Sequence, residues 1–486
     1  MAGNPISNVK SEFGARIVHI VTSGLLLLLL TRILGPDGYG LLALAIAVFT
    51  FSRFLSESGL HWSAARYIAE YKDERPDKAA TVVIESRRFV VVAATLVSIG
   101  LILLSEPLAS ILDEPSLSPL LIAGAGVVFF YSLHRFNRHI LQGYEDITTS
   151  ATIHSVEGIL TLGFVSAFVL YRPTPLAAII GYVLAYGVSA LIGIVAVSEV
   201  GNLRGPDLVD RPTLRRKVLR YNVPLSATRL SNVVDKQMDV ILVGYFLTST
   251  AVGFYALGKQ IADFVRVPAA SIGFALSPTY GSEKAKGNVE GATAVFEESL
   301  RNTLIFYVPA CAGIVVIADS AIPTVFGGEY TGAVVVVQIL AVFIFFDSFI
   351  KITGPGLDYL GRARTRAIAN AITSTGNIVL NVLLIPLIGV AGAAIATVIA
   401  TGIYSLISLY IMYTELAFDV RKTARCLSKV TIITVVMAGT VSLFLGYLGG
   451  YVAVAVSVSV GTGIWLGACH LFDLFDVRAV YVQFQG

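Results

Sequence analysis

Long apolar runs constrain the fold of this chain more than any other feature of its sequence. About fourteen of them are roughly 20 residues long, the length that an α-helix needs to cross a hydrocarbon core about 30 Å thick. A segment inside that core must satisfy its own backbone hydrogen bonds, so each run is predicted to be a helix. The predicted spans cover residues 12–34, 41–61, 83–104, 117–134, 150–170, 175–197, 223–246, 252–273, 302–318, 333–353, 367–386, 389–413, 430–446 and 452–471.

The composition agrees with this interpretation. Of the 486 residues, 55% are hydrophobic and 14% are charged, whereas soluble domains carry roughly 25% charged residues. The predicted fold class is therefore an all-α polytopic membrane protein with about 14 transmembrane helices. The first run is expected to be retained as a span, because no small-residue cleavage site follows it.

The distribution of basic residues predicts the orientation. On one predicted face, the connections between spans carry Arg172 as their basic residue, whereas those on the opposite face hold clusters such as 215–220, 362–366 and 421–425. Because loops rich in Lys and Arg stay inside, both termini are predicted to be cytoplasmic. The expected location is the cell membrane, crossed many times.

An internal repeat indicates a duplicated architecture. The segment Leu34–Leu44 matches Leu247–Leu257 in register at Leu, Gly, Ala and Leu positions. The repeats are an even number of spans apart, so they run parallel, which predicts two lobes of about six helices each, related by a pseudo-two-fold axis along the membrane normal. The predicted domains are an N-lobe (1–200), a basic cytoplasmic linker (201–221), a C-lobe (222–414) and an appendage of two C-terminal helices (415–486).

Charged residues inside the predicted spans point to a hydrated interior. A charge near the bilayer centre costs roughly 2.5–3.5 kcal/mol on insertion scales, so such residues need partners or water. In spans 7 and 8 they are Arg229, Asp235, Lys236, Asp239, Lys259, Asp263 and Arg266. The last three are spaced i, i+4 and i+7 and would share one helix face. We interpret this face as the lining of a transport cavity.

Arg53 in span 2 is the repeat counterpart of Arg266. Two symmetry-related guanidinium groups would suit the oxygens of one phosphate group, so a central anionic ligand is predicted. Thr50, Arg53, Glu57 and His61 would form one stripe of span 2, and the alternative is a buried Arg53–Glu57 pair that fixes helix packing.

Other polar residues in the spans have two interpretations each. Arg16, next to His19, is either a cavity residue or a flanking residue that reaches the interface. Asp235 and Asp239 either exchange an ion or compensate Lys236 and Arg229.

Spans 10 and 11 add two further sets of polar residues. Asp347 and Lys351 form an i, i+4 pair. Asn370 and Asn377 belong to an uncharged stripe that either binds sugar hydroxyls or joins helices.

Several functional classes lack support in the sequence. No His, Cys and Glu cluster has the spacing of a metal site, and no long outer loop is present to house a catalytic domain. The basic loops lack the aromatic residues of a nucleic-acid surface. Neither an enzyme nor a nucleic-acid partner is expected, and no cofactor is expected beyond H⁺ or Na⁺ as a coupling ion.

Two motifs carry a resemblance to a known family. The turn Leu34-Gly-Pro-Asp-Gly-Tyr-Gly40, and Gln237-Met-Asp239 followed by Val252-Gly-Phe-Tyr-Ala256, resemble the polysaccharide flippases of the multidrug/oligosaccharidyl-lipid/polysaccharide exporter superfamily. The resemblance implies a V-shaped pair of six-helix lobes that moves a lipid diphosphate-linked oligosaccharide to the outer leaflet. It places the diphosphate on Arg53 and Arg266 with Lys259 assisting, and a lipid groove at spans 13 and 14.

The functional hypothesis is alternating access coupled to an ion. Uptake of H⁺ or Na⁺ by Glu57, Asp235, Asp239 or Asp263 would reset the cycle by changing the charge of the cavity. The expected partners are the lipid-linked oligosaccharide, membrane lipids and glycan-assembly proteins. The alternative is a multidrug or cation antiporter of the same superfamily, which would need a cavity of net negative charge.

Overall fold

The chain folds into helices joined by short turns. The computed structural model describes residues 5–57, 59–201 and 210–472, and for 5–9, 219 and 221–235 it describes the backbone alone. These residues form sixteen α-helices, one 3₁₀ helix and no β-strand. The α-helices are α1 (Pro5–Glu57), α2 (Leu60–Tyr71), α3 (Pro76–Leu103), α4 (Ser105–Ile111), α5 (Leu117–Gly143), α6 (Ile147–Tyr171), α7 (Pro175–Val200), α8 (Arg211–Phe246), α9 (Ser249–Val265), α10 (Val267–Ala285), α11 (Val289–Phe326), α12 (Ala333–Tyr359), α13 (Ala363–Ile388), α14 (Val390–Leu416), α15 (Val420–Tyr447) and α16 (Gly450–Leu471), and the 3₁₀ helix is Gly328–Gly332.

The helices confirm the predicted fold class. Within the described ranges, 11 helical segments are long and apolar enough to cross a membrane. The chain is therefore an all-α, multi-pass membrane protein, and the total of about 14 spans stays a prediction. One of the 11 segments comes from α1, which contains both of the first two predicted spans.

Three helix breaks refine the predicted spans. Gly35 interrupts α1 with a φ of 64°, a conformation that glycine adopts without strain, and Pro36 starts the next stretch. The span predicted as 41–61 ends at Glu57, so His61 lies on α2 and does not continue the stripe of Arg53. The span predicted as one helix over 252–273 is two helices, α9 and α10, which meet at Arg266.

The repeated motif places two glycines in contact. Gly40 and Gly253 occupy the same position of the two repeats. A Cβ on Gly40 would lie 2.6 Å from the backbone nitrogen of Gly253 and would also collide with the carbonyl group of Ser249. A Cβ on Gly253 would likewise overlap the carbonyl oxygen of Pro36. The absence of side chains at both positions therefore allows α1 and the start of α9 to touch through their backbones.

The chain divides into two compact units, Met1–Gly253 and Phe254–Gly486. In the first, α2, α3, α5 and α8 contribute to one apolar core, which includes Leu60, Val83, Phe136 and Leu214. In the second, α10, α11, α12 and α14 enclose a core that includes Tyr280, Phe296, Leu357 and Met412. The boundaries predicted for the lobes, the linker and the appendage stay predictions.

Capping and ion pairs fix several helix ends outside the apolar segments. Asp419 precedes α15 and accepts hydrogen bonds from the backbone N–H groups of Arg421 and Lys422. These bonds hold the pKa of Asp419 below its ordinary value, the bond from Lys422 contributing most. Beyond α2, Lys72 lies 2.7 Å from Glu145, and this hydrogen bond raises the pKa of Lys72.

The glycine contact generates the first prediction. Gly40→Ala is expected to lower the free energy of unfolding by about 1–3 kcal/mol, since α1 and α9 must separate to admit a methyl group. The apparent melting temperature of the purified chain in detergent measures this loss. Gly24→Ala on the same helix is the matched control, because no atom lies within 4 Å of its Cβ position. Equal melting temperatures for the two variants would contradict the proposed close contact.

Candidate functional site

Arg266 lies at the break between α9 and α10 and contacts two carboxylates. Its guanidinium group is 2.5 Å from Oδ1 of Asp263 and 3.4 Å from Oδ2 of Asp347. Lys351, one turn further along α12, is 3.2 Å from Oδ1 of Asp347. The predicted Asp347–Lys351 pair is thus confirmed, and it belongs to a network of two cations and two carboxylates.

The network is electrically neutral, because two cations face two carboxylates, and its centre is buried. The side chains of Asp347 and Arg266 are 8% and 19% exposed, so neither charge is fully solvated. A guanidinium group that pairs with two carboxylates has little residual charge to offer a ligand. Arg266, which the repeat predicts to bind an anion, is therefore engaged within its own unit in this conformation.

Arg53 in the first unit has different surroundings. It is half-buried on α1, where it donates a hydrogen bond of 2.8 Å to Thr50 and lies 4.0 Å above the ring of Tyr131. Among the side chains that the structure describes, no carboxylate lies within 4.0 Å of it. Glu57, the predicted alternative partner, instead contacts Arg135 at 3.3 Å. The positive charge of Arg53 is held by an aromatic ring and a hydroxyl group, and it remains available to an anion.

Two arginines on α5 complete a cationic cluster that the sequence analysis missed. Arg135 lies within hydrogen-bonding reach of Tyr131, the residue whose ring supports Arg53. Arg138, half-buried, donates a hydrogen bond of 3.3 Å to the carbonyl oxygen of Ser150. Helix α5 continues to Gly143, beyond the predicted end of its span at 134, so both arginines are helical. Their i, i+3 spacing is the signal in the sequence, but both residues lie beyond the apolar run that defined the predicted span.

The remaining predicted site residues are spread over both units. Arg16 is 66% exposed and lies 3.5 Å from Glu12, as a flanking residue would. Asp239 is buried in the first unit, and Asp235 lies outside the residues whose side chains the structure describes. Lys259, in the second unit, is half-buried, with its ammonium group 5.8 Å from the ring of Tyr255.

The predicted sugar-binding stripe on α13 is largely buried. Asn377 is 5% exposed, and its carbonyl oxygen accepts a hydrogen bond of 3.0 Å from the fully buried Asn381. Asn370 is half-buried, two turns earlier. This bond lies within α13, and its burial leaves Asn377 little surface for a sugar, whereas Asn370 retains an accessible surface.

The first unit therefore carries a net positive cluster inside an apolar helix bundle. Its three guanidinium groups are Arg53, Arg135 and Arg138, and its carboxylates are Glu57 and Glu157, whereas the exposed Arg16 pairs with Glu12 at the flank. The excess of positive charge falls on Arg53 and Arg138, for which no ion pair with a described residue is found. Such a site suits phosphate oxygens, which guanidinium groups bind through two parallel hydrogen bonds.

Comparison with models of known protein families shows which family this chain belongs to. The family model described as polysaccharide biosynthesis protein matches residues 6–282, more than half of the chain, and the MatE model matches residues 224–383. Fold and family models thus define a multi-pass membrane protein of the multidrug/oligosaccharidyl-lipid/polysaccharide exporter superfamily, as the sequence motifs predicted. The chain belongs to the polysaccharide biosynthesis protein family.

Individual proteins agree with this assignment. The chain is similar to "Probable low-salt glycan biosynthesis flippase Agl15" of Haloferax volcanii, with 25% identity over 54% of this chain and 55% of that one. It is also similar to "Lipopolysaccharide biosynthesis protein WzxC" of Escherichia coli, with 23% identity over 69% of this chain and 66% of that one. The match therefore spans about half the length of the Haloferax relative.

A solved structure shares the fold over nearly the whole chain. "Lipid II flippase MurJ, inward closed conformation" superposes with a TM-score of 0.76 and 16% identity, covering 96% of this chain and 98% of that one. At this identity the likeness concerns the fold alone.

The buried charge network generates the second prediction. Asp347→Asn is expected to lower the free energy of unfolding by about 3–5 kcal/mol, because Arg266 and Lys351 then share a buried site with one carboxylate fewer. The apparent melting temperature in detergent is the measurement.

A matched control lies on the same helix. Asp358 forms an ion pair with Arg366 at 2.8 Å, but its side chain is 40% exposed. Asp358→Asn should therefore cost at most about 1 kcal/mol. If the two variants melt at the same temperature, the network around Arg266 does not have the strength argued here.

Proposed function

We propose that this chain is a flippase that moves a prenyl-(di)phosphate-linked oligosaccharide from the cytoplasmic to the outer leaflet by alternating access. The observation that carries the proposal is the half-buried pair Arg53 and Arg138, whose positive charges no described carboxylate neutralises at ion-pair distance. Family membership and the names of the Haloferax and Escherichia relatives support the same substrate class.

An anionic headgroup fits this cluster better than a cationic drug does. A charge in an apolar bundle is costly without a partner, so unpaired guanidinium groups lower their free energy when a phosphate enters. A cation would be repelled by the same groups. Although the MatE model also matches part of the chain, the charge of the first unit therefore favours the oligosaccharide flippase over the multidrug antiporter.

The prenyl tail and the headgroup need different environments during transport. A polyprenyl chain is as apolar as the lipid tails, so it can stay in the bilayer while the headgroup crosses through the protein. The diphosphate would bind Arg53 and Arg138, and a polar side chain such as Asn370 would remain for sugar hydroxyls. The prediction that Arg266 and Lys259 also bind the headgroup stays part of this proposal.

The ion pairs of Arg266 suggest how an ion would drive the cycle. Uptake of H⁺ or Na⁺ by Asp263 or Asp347 would weaken their hold on Arg266 and release its positive charge for the substrate. Loss of the ion would restore the pairs and expel the anion. In this scheme Asp263, which is 41% exposed, exchanges the ion more readily than the buried Asp347.

The cellular setting completes the proposal. The distribution of basic loops supports a location in the cell membrane with both termini in the cytoplasm. Proteins that assemble the glycan on the cytoplasmic side and extend it on the outer side are the expected partners.

The third prediction concerns transport. In liposomes, a fluorescent prenyl-diphosphate sugar in the inner leaflet becomes accessible to a membrane-impermeant quencher once it is flipped. The double variant Arg53→Gln/Arg138→Gln is expected to flip at least about tenfold more slowly, because each lost charged hydrogen bond is worth about 1.5–3 kcal/mol.

Two controls separate this effect from misfolding and from general loss of charge. Arg364→Gln removes an exposed guanidinium group in the first turn of α13 and should leave the rate unchanged. Arg53→Lys keeps the charge but not the planar fork, so an intermediate rate is expected. Wild-type flipping by a well-folded double variant would remove Arg53 and Arg138 from the substrate site, and transport of cationic dyes would favour the antiporter.

The fourth prediction tests ion coupling. Asp263→Asn cannot exchange an ion at this position, so the variant should equilibrate the lipid between leaflets but lose its acceleration by an imposed Na⁺ or pH gradient. Asp113→Asn, in a turn after α4, is the control and should respond like the wild type. A full response of Asp263→Asn to both gradients would exclude Asp263 as the coupling residue.

A further inference from the structure

Three potential metal ligands meet where α1 packs against α6, although the sequence spacing predicts no metal site. They are His19 on α1 and His154 and Glu157, which lie three residues apart on α6. Each residue offers one ligand atom, and these three atoms all lie within 4.8 Å of one another. The distance from Nδ1 of His19 to Oε2 of Glu157 is 3.6 Å, close to the separation of about 3.4 Å between two ligands of one tetrahedral zinc ion with bonds of 2.0–2.1 Å.

Buried nitrogen atoms without hydrogen bonds mark this place as unusual. Nδ1 of His19 and Nδ1 of His154 are both buried, and neither has a hydrogen-bond partner among the described residues. The two rings are tilted by 31° relative to each other, with centroids 4.8 Å apart. Because buried polar atoms are nearly always hydrogen-bonded, two such nitrogens beside one carboxylate need an explanation.

Neighbouring residues keep the carboxylate oriented and the space open. The Thr161 hydroxyl donates a hydrogen bond of 3.2 Å to Oε1 of Glu157, which leaves Oε2 directed towards His19. Gly158 follows Glu157, and a Cβ at this position would lie 2.9 Å from Oγ1 of Thr22 and 3.6 Å from Nδ1 of His19. The missing side chain at Gly158 therefore allows α6 to approach His19 closely.

We propose that His19, His154 and Glu157 form a binding site for a divalent transition-metal ion of the zinc class. Two imidazoles and one carboxylate are a common ligand set for such ions, and a fourth position remains for water or another oxygen ligand. The bound ion joins α1 to α6 within the first unit. It binds only in the folded chain and therefore stabilises it.

The charge of the surroundings sets the expected affinity and links the ion to transport. Arg138 interacts electrostatically with all three ligands, and Arg16 with His154, so the neighbouring charges oppose a cation. The ion in turn neutralises Glu157, a carboxylate that interacts electrostatically with both Arg138 and Arg53. If the proposed function holds, metal binding strengthens the attraction of the first unit for a phosphate headgroup.

Cobalt binding to the full-length chain without an affinity tag tests the site independently of transport. After removal of metals with a chelator, the wild-type protein in detergent should bind one equivalent of Co²⁺ with the visible absorption of a tetrahedral ion. Zn²⁺ should displace it. His154→Ala and Glu157→Gln should each weaken binding at least about tenfold.

Further variants make the test specific. His470→Ala removes an exposed histidine at the end of α16 and should leave cobalt binding unchanged. Gly158→Val keeps all three ligands but fills the space beside His19, so it should weaken binding. Arg138→Gln removes an opposing charge and should strengthen it.

Each result bears on the metal site alone, because no substrate is present. The proposal is overturned if the wild-type chain binds no cobalt, or if His154→Ala and His470→Ala bind it equally. Loss of flipping in the arginine variants with intact metal binding would support the proposed function separately. Unchanged flipping in these variants, again with intact metal binding, would contradict the proposed function while leaving the metal site in place.

Discussion

The cost of placing a charge in an apolar helix bundle governs how this protein is built. Each buried guanidinium group needs a counter-charge, water or a ligand. In the second unit, Arg266 meets this requirement with Asp263 and Asp347. In the first unit, Arg53 has an aromatic ring and a hydroxyl group, and Arg138 has a backbone carbonyl group. Arg266 is thus neutralised within its own unit, whereas Arg53 and Arg138 form no ion pair with a residue whose side chain is described.

The proposed transport cycle assigns a different role to each of the two units. In the proposed function, the first unit would bind the phosphate headgroup, and the metal site proposed between α1 and α6 would strengthen that binding by neutralising Glu157. The second unit would release the charge of Arg266 when Asp263 or Asp347 takes up an ion. A transport cycle needs both properties, because a site that always binds its substrate tightly never releases it. In the same scheme, the prenyl tail would stay in the lipid beside the apolar surface of the helices.

The sequence predicted the helices well because the bilayer leaves few alternatives: long apolar runs became α-helices, and the Gly-Pro turn at Gly35 broke α1 where a connection was expected. The repeat also identified Gly40 and Gly253, which the fold places in contact.

Side-chain partners were less predictable. Asp347 lies 81 residues from Arg266, so their pairing depends on tertiary packing. The same holds for His19, which meets His154 and Glu157 only through the packing of α1 on α6. Arg135 and Arg138 were missed because α5 extends beyond its apolar run, and a helix boundary is poorly encoded where charged residues follow hydrophobic ones.

Equilibrium binding of a prenyl diphosphate to the full-length chain in lipid nanodiscs tests the central claim most directly, because it isolates the anion site from the transport steps. If Arg53 and Arg138 hold the phosphate, replacing both with glutamine should weaken binding at least about tenfold and reduce its dependence on salt concentration. Binding to Arg364→Gln should match the wild type. Equal affinities and equal salt dependence for the wild type and the double variant would contradict the account.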